Sequence, residues 1–124
     1  MQMRIDDINE GFAVVSLPYD ERLIGDPESG VLHGGAVSTL LDTCAGAAVV
    51  SHPLVPDVAA TLDLRIEYMR SAAPGERIRA TAECYNVTRT IAFVRATAND
   101  ESGARPVAEA TGIFALVERK TNNA

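Results

Sequence analysis

The chain has 124 residues, of which 47% are hydrophobic and 23% are charged, a composition that supports one folded domain over residues 1–124 and excludes a disordered chain. The formal net charge is −6, and lysines and arginines are scattered singly, which disfavours nucleic acid as a partner. No apolar run reaches the roughly 20 residues that span a bilayer, and residues 1–8 carry charges where a signal peptide would be apolar. We therefore expect no membrane partner and a cytoplasmic location.

The first half of the chain is predicted to contain a strand, a loop and one buried helix. Residues 11–17 are rich in β-branched side chains and predict a strand. Residues 19–30 are polar and contain turn residues, which predicts a loop with a short strand at residues 22–24. Residues 34–51 are apolar on nearly every helical face and predict a buried helix that ends before Pro53, because the residue preceding a proline is pushed out of the α region.

The second half is predicted to contain four strands. Residues 61–68 alternate strictly, with Thr61 on the polar face. The apolar face of this strand would carry Leu62, Leu64, Ile66 and Tyr68. Three more strands are predicted at residues 77–87, 91–98 and 106–117. One hydrophobic helix followed by long antiparallel strands implies an α+β domain with the sheet curled around the helix, and its exposed edge strand favours a dimer.

The cysteines and histidines indicate neither a disulfide nor a metal site. Cys44 and Cys84 lack CxxC spacing, and Cys44 lies in the apolar helical stretch, so free thiols are expected. The two histidines of the chain are not joined by clustered carboxylates or thiols, and we predict no metal and no cofactor. The sequence also lacks a glycine-rich nucleotide loop and a Gly-x-Ser-x-Gly elbow, which argues against a dehydrogenase and a serine hydrolase.

The most informative segment is GVLHGG at residues 30–35, followed by helical residues up to Asp42. Paired glycines at a helix entrance let another group approach the free amides of the first turn, where the helix dipole favours developing negative charge. Asp42 lies on an otherwise apolar helix, where an ionised carboxylate is costly unless it is paired or used. The residues alone leave a second interpretation open, in which the glycines permit close packing and Asp42 caps a loop or lies on an exposed stripe.

At these residues the chain resembles the PaaI-like hotdog-fold acyl-CoA thioesterases. The matching segments are HGG at residues 33–35 with Asp42 nine residues after the histidine, TLDLRIEYMRSAAPGE at residues 61–76 and TRTIAFVRATA at residues 88–98. The resemblance implies a hotdog fold, in which a long central helix is wrapped by a curved antiparallel sheet. It also implies hydrolysis of a fatty or aryl acyl-CoA to the free acid and coenzyme A, in a homodimer or a dimer-of-dimers tetramer.

The resemblance further implies roles for individual residues. Gly34 would donate the backbone amide that polarises the thioester carbonyl, and Asp42 would act as general base on water or as direct nucleophile. Thr61 stands where related enzymes carry a serine or threonine that positions the attacking water, although a threonine on a solvated strand face is the structural alternative. His33 would orient the motif loop or contact the substrate, and Gly35 is assigned with it to substrate binding.

Three more residues are predicted to contact the substrate. Asp26 stands where relatives commonly have an asparagine that contacts the thioester or the attacking water, so this chain keeps an acceptor there and loses the amide donor. Arg70 and Arg89 are the candidates for the phosphates of coenzyme A. For each arginine the alternative is a solvated surface cation.

The spacing of Gly34 and Asp42 predicts active sites shared between subunits. At about 1.5 Å per residue the two lie roughly 12 Å apart along one helix, whereas a donor and a nucleophile must each lie within about 3 Å of the reacting group. Two other functions stay open on this fold. One is non-catalytic acyl-CoA binding, and the other is a hydratase or dehydratase, although Asp42 lacks the neighbouring histidine that this chemistry usually employs.

Overall fold

The computed structural model of the chain describes residues 2–55, 58–101, 103 and 105–117. Within these ranges helix α1 spans Gly34–Ser51, and a 3₁₀ turn spans Glu21–Leu23. The strands are β1 (Arg4–Asn9), β2 (Phe12–Leu17), β3 (Ile24–Asp26), β4 (Val31–Leu32), β5 (Val58–Tyr68), β6 (Ile78–Val87), β7 (Ile91–Asn99) and β8 (Ala108–Val117).

Six strands form one antiparallel sheet in the order β1-β2-β6-β7-β8-β5. Strands β3 and β4 pair separately as a small hairpin that leads into α1. Helix α1 crosses one face of the large sheet and packs mainly on β2, β6, β7 and β5. The predicted α+β architecture, a long central helix against a curved antiparallel sheet, is confirmed.

Small side chains let α1 lie close to the sheet. The buried residues of the helix are Ala36, Val37, Leu40, Leu41, Cys44, Ala45, Ala48 and Val49. They face a sheet surface rich in alanine, including Ala80, Ala82, Ala92, Ala96 and Ala98. The helix has the length and apolar composition of a membrane span, but burial of these eight residues against strands is what the core helix of a folded domain requires.

The boundaries of α1 agree with the sequence prediction. The helix ends at Ser51, and His52, which precedes Pro53, adopts an extended conformation with φ −69° and ψ 134°. Strands β2, β6, β7 and β8 also begin and end within two residues of the predicted positions, and β5 begins three residues earlier, at Val58.

The sequence pattern does not predict β1, because its residues are mostly polar or charged and all are exposed. This strand pairs with β2 through a tight turn at Glu10 and Gly11, whose φ values of 37° and 91° lie in the left-handed region. A register shift between Ile5 and Asp7 interrupts the pairing. Charges and an irregular register are devices that discourage a sheet edge from pairing with another chain.

The short strand predicted at residues 22–24 is wrong in its position. A 3₁₀ turn occupies most of this segment, because the side chain of Asp20 accepts a hydrogen bond from the backbone N–H of Arg22 and caps the turn. The extended pairing starts only at Ile24, where β3 begins.

A bulge in β5 changes which side chains face the helix. Thr61 lies opposite Phe114, which is buried under the helix, whereas Asp63 lies opposite Ile113 on the outer face, and the register shifts between Thr61 and Asp63. Since residues opposite each other on paired strands share a face, Thr61 points toward the helix. The predicted outward placement of Thr61 is therefore wrong.

The same bulge exposes Leu62, which the strict alternation places on the buried face. Its exposed fraction is 61%, because the extra residue of a bulge leaves the regular pleat. Leu64 and Ile66 return to the helix side and are half-buried, as predicted.

Candidate active site

The start of α1 presents the HGG motif. His33 is the N-cap residue, and its Nδ1 atom accepts a hydrogen bond of 2.9 Å from the backbone N–H of Gly35. Gly34 is the first helical residue, so its own N–H has no acceptor within the helix. Both glycines are exposed. One amide of the first turn is thus taken by the cap, and the amide of Gly34 is available to a ligand.

The end of β5 lies against the same turn. The hydroxyl of Tyr68 donates a hydrogen bond of 3.1 Å to the carbonyl oxygen of Gly34, and the tyrosine ring lies beside the glycine. Sequence alternation correctly places Tyr68 on the helix side of β5, but it does not identify this contact, which joins residues 34 positions apart.

The carboxylate of Asp42 is bound by Thr61. The hydroxyl of Thr61 donates a hydrogen bond of 3.0 Å to Oδ1 of Asp42, which is half-buried, and the second carboxylate oxygen has no partner within the described part of the chain. The contact exists because the bulge in β5 turns Thr61 toward the helix. The structure therefore joins two predicted site residues and leaves one carboxylate oxygen without a partner among the described residues.

The two halves of the predicted site lie at different positions along β5. Gly34 is tied to Tyr68 at the carboxyl end of the strand, and Asp42 is tied to Thr61 near its amino end. Asp42 lies eight residues after Gly34 on the helix, or roughly 12 Å along its axis. Within one subunit these two groups are not brought together.

Two cavities flank the start of the helix. One of about 320 Å³ lies beside Gly34 and Tyr68, and its apolar lining includes Val31, Val37 and Met69. The other, of about 300 Å³, lies on the side of His33 and Gly35 and is also lined by Arg22, Leu23 and Ile24. A ligand group at the Gly34 amide would have apolar space next to it.

Asp26 lies at the end of β3, in the turn before β4. Its exposed carboxylate accepts hydrogen bonds from the hydroxyl of Ser29 and the backbone N–H of Glu28. These bonds, that of Ser29 first, lower the pKa of the Asp26 carboxyl. The side chain thus shapes its own turn, and the contact predicted between this loop and a substrate stays a prediction.

The guanidinium of Arg70 is bound by groups of its own subunit. Its guanidinium forms a two-pronged ion pair with Asp100, at 2.7 and 2.8 Å, and its other N–H groups donate to the carbonyl oxygens of Ser71 and Arg105. The Asp100 side chain is fully buried and also accepts from the N–H of Ala73. Because all five N–H donors of Arg70 are engaged, it is neither a solvated cation nor ready to bind a phosphate.

Removal of the Asp100 carboxylate is expected to destabilise the fold. The Arg70 guanidinium, aided by the Ala73 amide, lowers the pKa of Asp100 from 3.8 to about 2. Because the folded-state pKa is the lower one, this contribution is present above about pH 4 and is lost as the pH falls toward 2. Asp100→Asn should lower the free energy of unfolding at pH 7 by about 2 kcal/mol, measured by urea unfolding at one protein concentration.

The matched control is Asp20→Asn, which also removes a carboxylate paired with an arginine. Arg22 lowers the pKa of Asp20 to about 2 as well, but the Arg22 side chain is largely exposed, and exposed pairs contribute little. As the pH falls from 4 to 2, the difference in the free energy of unfolding between the wild type and Asp100→Asn should become smaller. An equal loss of stability in both variants, or a gap independent of pH, would contradict the role given to the buried pair.

Arg89 lies at the opposite end of the sheet from Arg70. It is exposed in the connection between β6 and β7 and has no hydrogen bond or ion pair within the described ranges. Ile91, just after it, pairs with Ala115, which in turn pairs with Ala60 beside Thr61. Arg89 is therefore the predicted phosphate contact that retains free donors, and it lies at the Thr61 end of the sheet.

Among the described residues, neither the cysteine thiols nor the side chains that could bind a metal ion form a second candidate site. Both cysteines are buried and free, and burial raises the pKa of the Cys44 thiol to about 11. Among the described residues no group of three or more histidine, cysteine, aspartate or glutamate side chains is placed to hold a metal ion. The ionisable side chains of α1 are thus Asp42 and the buried thiol of Cys44.

Comparison with known proteins gives consistent matches. A family model described as the thioesterase superfamily matches residues 29–107. A Halobacterium salinarum protein named as a candidate esterase is 35% identical over 115 residues, which cover 87% of this chain and 74% of that protein. The medium/long-chain acyl-CoA thioesterase YigI of Escherichia coli K12 is 24% identical over 112 residues, covering 80% and 72% respectively.

Among solved structures, a variant of the phenylacetic acid degradation protein PaaI from Thermus thermophilus has a TM-score of 0.81 at 26% identity, covering 93% of each chain. This likeness confirms the hotdog fold and the resemblance drawn from the HGG motif and the two later segments.

Proposed function

Because the chain belongs to the thioesterase superfamily, we propose that it hydrolyses the thioester bond of a fatty or aryl acyl-CoA to the free acid and coenzyme A. The observation that carries the proposal is the Asp42 carboxylate, half-buried on an apolar helix and bonded through one oxygen to Thr61. The other oxygen has no partner among the described residues, and a half-buried carboxylate in such a place is costly unless it serves a purpose.

The exposed amide of Gly34 supplies the second requirement of the reaction. An N–H at a helix start, aided by the helix dipole, stabilises the oxyanion that forms when the thioester carbonyl is attacked. The apolar cavity beside Gly34 and Tyr68 offers space for the acyl chain or for the pantetheine arm of coenzyme A.

Two routes are compatible with Asp42. As a general base it takes a proton from water, the water oxygen bonds to the carbonyl carbon, the C–S bond breaks, and the departing thiolate takes the proton from Asp42. As a nucleophile it bonds to the carbonyl carbon and expels coenzyme A, and water then hydrolyses the mixed anhydride and frees Asp42. Thr61 holds the carboxylate in both routes.

We further propose that each site combines Gly34 of one subunit with Asp42 of the partner subunit. Among the described residues, strand β5 is an edge strand of 11 residues that pairs on one side only, and an unpaired edge of that length is a pairing surface. Antiparallel pairing of two β5 strands about a two-fold axis would set the Tyr68 end of one beside the Thr61 end of the other. Gly34 and Asp42 are tied to those two ends.

The direct test is thiol release from a panel of short-chain, long-chain and aryl acyl-CoA substrates. The relative named as a medium/long-chain acyl-CoA thioesterase makes the longer acyl chains the first members to try. We expect turnover proportional to protein concentration for at least one class. The alternative, an acyl-CoA binder, predicts saturable binding by calorimetry with no thiol release, and that result would contradict the proposal.

Asp26→Asn is expected to maintain or raise the rate of thiol release. The change restores the side-chain amide that relatives commonly place in this loop, and the amide oxygen can still accept from the N–H of Glu28. The measurement is kcat/KM on the best substrate of the panel. A large fall with an intact fold would mean that the chain uses the Asp26 carboxylate itself.

A further inference from the structure

Both polar groups of the Gly34–Gly35 peptide unit are held by side chains. The N–H of Gly35 donates to Nδ1 of His33, and the carbonyl oxygen of Gly34 accepts from the hydroxyl of Tyr68. We propose that Tyr68 is a positioning residue that fixes the direction of the Gly34 amide. The catalytic part of this inference rests on the proposed function, in which that amide receives the oxyanion.

The two glycines are the reason that the Gly34 amide needs contacts to fix its direction. Two successive residues without Cβ have wide backbone freedom, and the first turn of a helix lacks part of its hydrogen-bond ladder. An oxyanion donor contributes only when its direction is fixed before the reaction. At a Gly-Gly helix start, contacts from outside the helix therefore help the first amide to hold one orientation.

The two preceding peptide units, Leu32–His33 and His33–Gly34, each have one anchor. The N–H of His33 donates to the carbonyl oxygen of Leu23 at 2.7 Å, and the carbonyl oxygen of His33 accepts from the N–H of Ala36 at 2.9 Å. Because the N–H of Gly34 shares a planar peptide unit with the carbonyl of His33, its direction depends on that anchor and on the Gly34–Gly35 peptide after it. Tyr68 and His33 are the side chains that hold the second of these.

The environment of Tyr68 argues for a specific contact. Its exposed fraction in the single subunit is 54%, so within that subunit its hydroxyl could bond to water and is not forced by burial to find a protein partner. The ring nevertheless lies 3.9 Å from where a Cβ of Gly34 would be, and it comes from β5 rather than from the helix. The tyrosine links the edge strand to the turn that presents the amide.

The first experiment is independent of activity. In Tyr68→Phe the ring remains and only the hydroxyl is lost, so amide hydrogen exchange at Gly35, followed by NMR, should accelerate about threefold to tenfold, the range of one neutral hydrogen bond. Tyr85→Phe is the matched control, because Tyr85 is 46% exposed and packs beside Arg95, away from the helix start. Unchanged exchange at Gly34 and Gly35 in Tyr68→Phe would overturn the proposal.

The second experiment reads the catalytic consequence. Tyr68→Phe should lower kcat about threefold to tenfold with KM changed less than twofold and with an unchanged thermal midpoint, whereas Tyr85→Phe should match the wild type. A change confined to KM or to stability would mean that the tyrosine only packs. If the wild type releases no thiol from any acyl-CoA, the proposed function fails, and the exchange measurement still decides whether Tyr68 orders the turn.

Discussion

Replacement of Asp42 by alanine or by asparagine is expected to lower kcat by on the order of a hundredfold or more, with much smaller changes in KM and in the thermal midpoint. The carboxylate takes up a proton or donates an electron pair only as the thioester carbonyl is attacked, so its loss affects the transition state more than the bound substrate. Thiol release measured over a range of acyl-CoA concentrations separates the two constants.

Asparagine is the more informative of the two variants. Its side-chain oxygen can still accept the hydrogen bond from Thr61 that Asp42 accepts at 3.0 Å, so the geometry is kept while the basic and nucleophilic oxygen is lost. Asp63→Asn is the matched control, since that exposed carboxylate lies on the other face of β5 beyond the bulge. Near-normal turnover in both Asp42 variants would remove this residue from the mechanism.

The helix and most strands could be predicted from the sequence because their apolar residues follow a regular pattern that matches which side chains are buried. The 18 residues of α1 are largely apolar and end two residues before Pro53. Burial alternates in β6 over residues 78–85 and in β7 over all nine residues. Strand β1 lacks such a signal, because every residue of it is exposed and its pairing with β2 depends on backbone hydrogen bonds.

The bulge in β5 shows why strict alternation misplaces a site residue. The sequence of β5 continues the period of two without interruption, whereas pairing with β8 inserts an extra residue at Leu62. Nothing in the side-chain pattern marks that register shift, because it arises between two strands about 50 residues apart. The consequence is chemical, since only the shifted register brings Thr61 to Asp42.

The arginines show a related limit for the candidate site. Arg70 and Arg89 are both single cations near the ends of strands. From the sequence alone, neither can be preferred as a phosphate contact. The fold separates them, because the buried carboxylate of Asp100 takes the guanidinium of Arg70. The pairing spans 30 residues and depends on how two loops meet, so composition and spacing could not distinguish the two residues.

Mixing two inactive variants, Asp42→Ala and Gly34→Pro, is expected to restore about a quarter of wild-type activity. If each site combines Gly34 of one subunit with Asp42 of the partner subunit, a mixed dimer carries one intact site and one doubly damaged site. With equal amounts and free exchange, half of the dimers are mixed, which gives the quarter.

The backbone of this chain suits the proline variant. Proline at the first helical position removes only an N–H that has no helical acceptor. It requires an extended conformation at the preceding residue, and His33 has φ −62° and ψ 137°. The space at Gly34 is also open, because an added Cβ would meet only the Tyr68 ring at an ordinary contact distance of 3.9 Å.

The control is a mixture of Asp42→Ala with Asp42→Asn, which cannot form an intact site in any combination and should stay inactive. Subunit exchange is followed separately by energy transfer between differently labelled chains, and folding of each variant by circular dichroism. A site contained within one subunit would leave both mixtures equally inactive. If the Asp42→Ala and Gly34→Pro chains fold and exchange yet release no thiol, the two groups do not act across the interface.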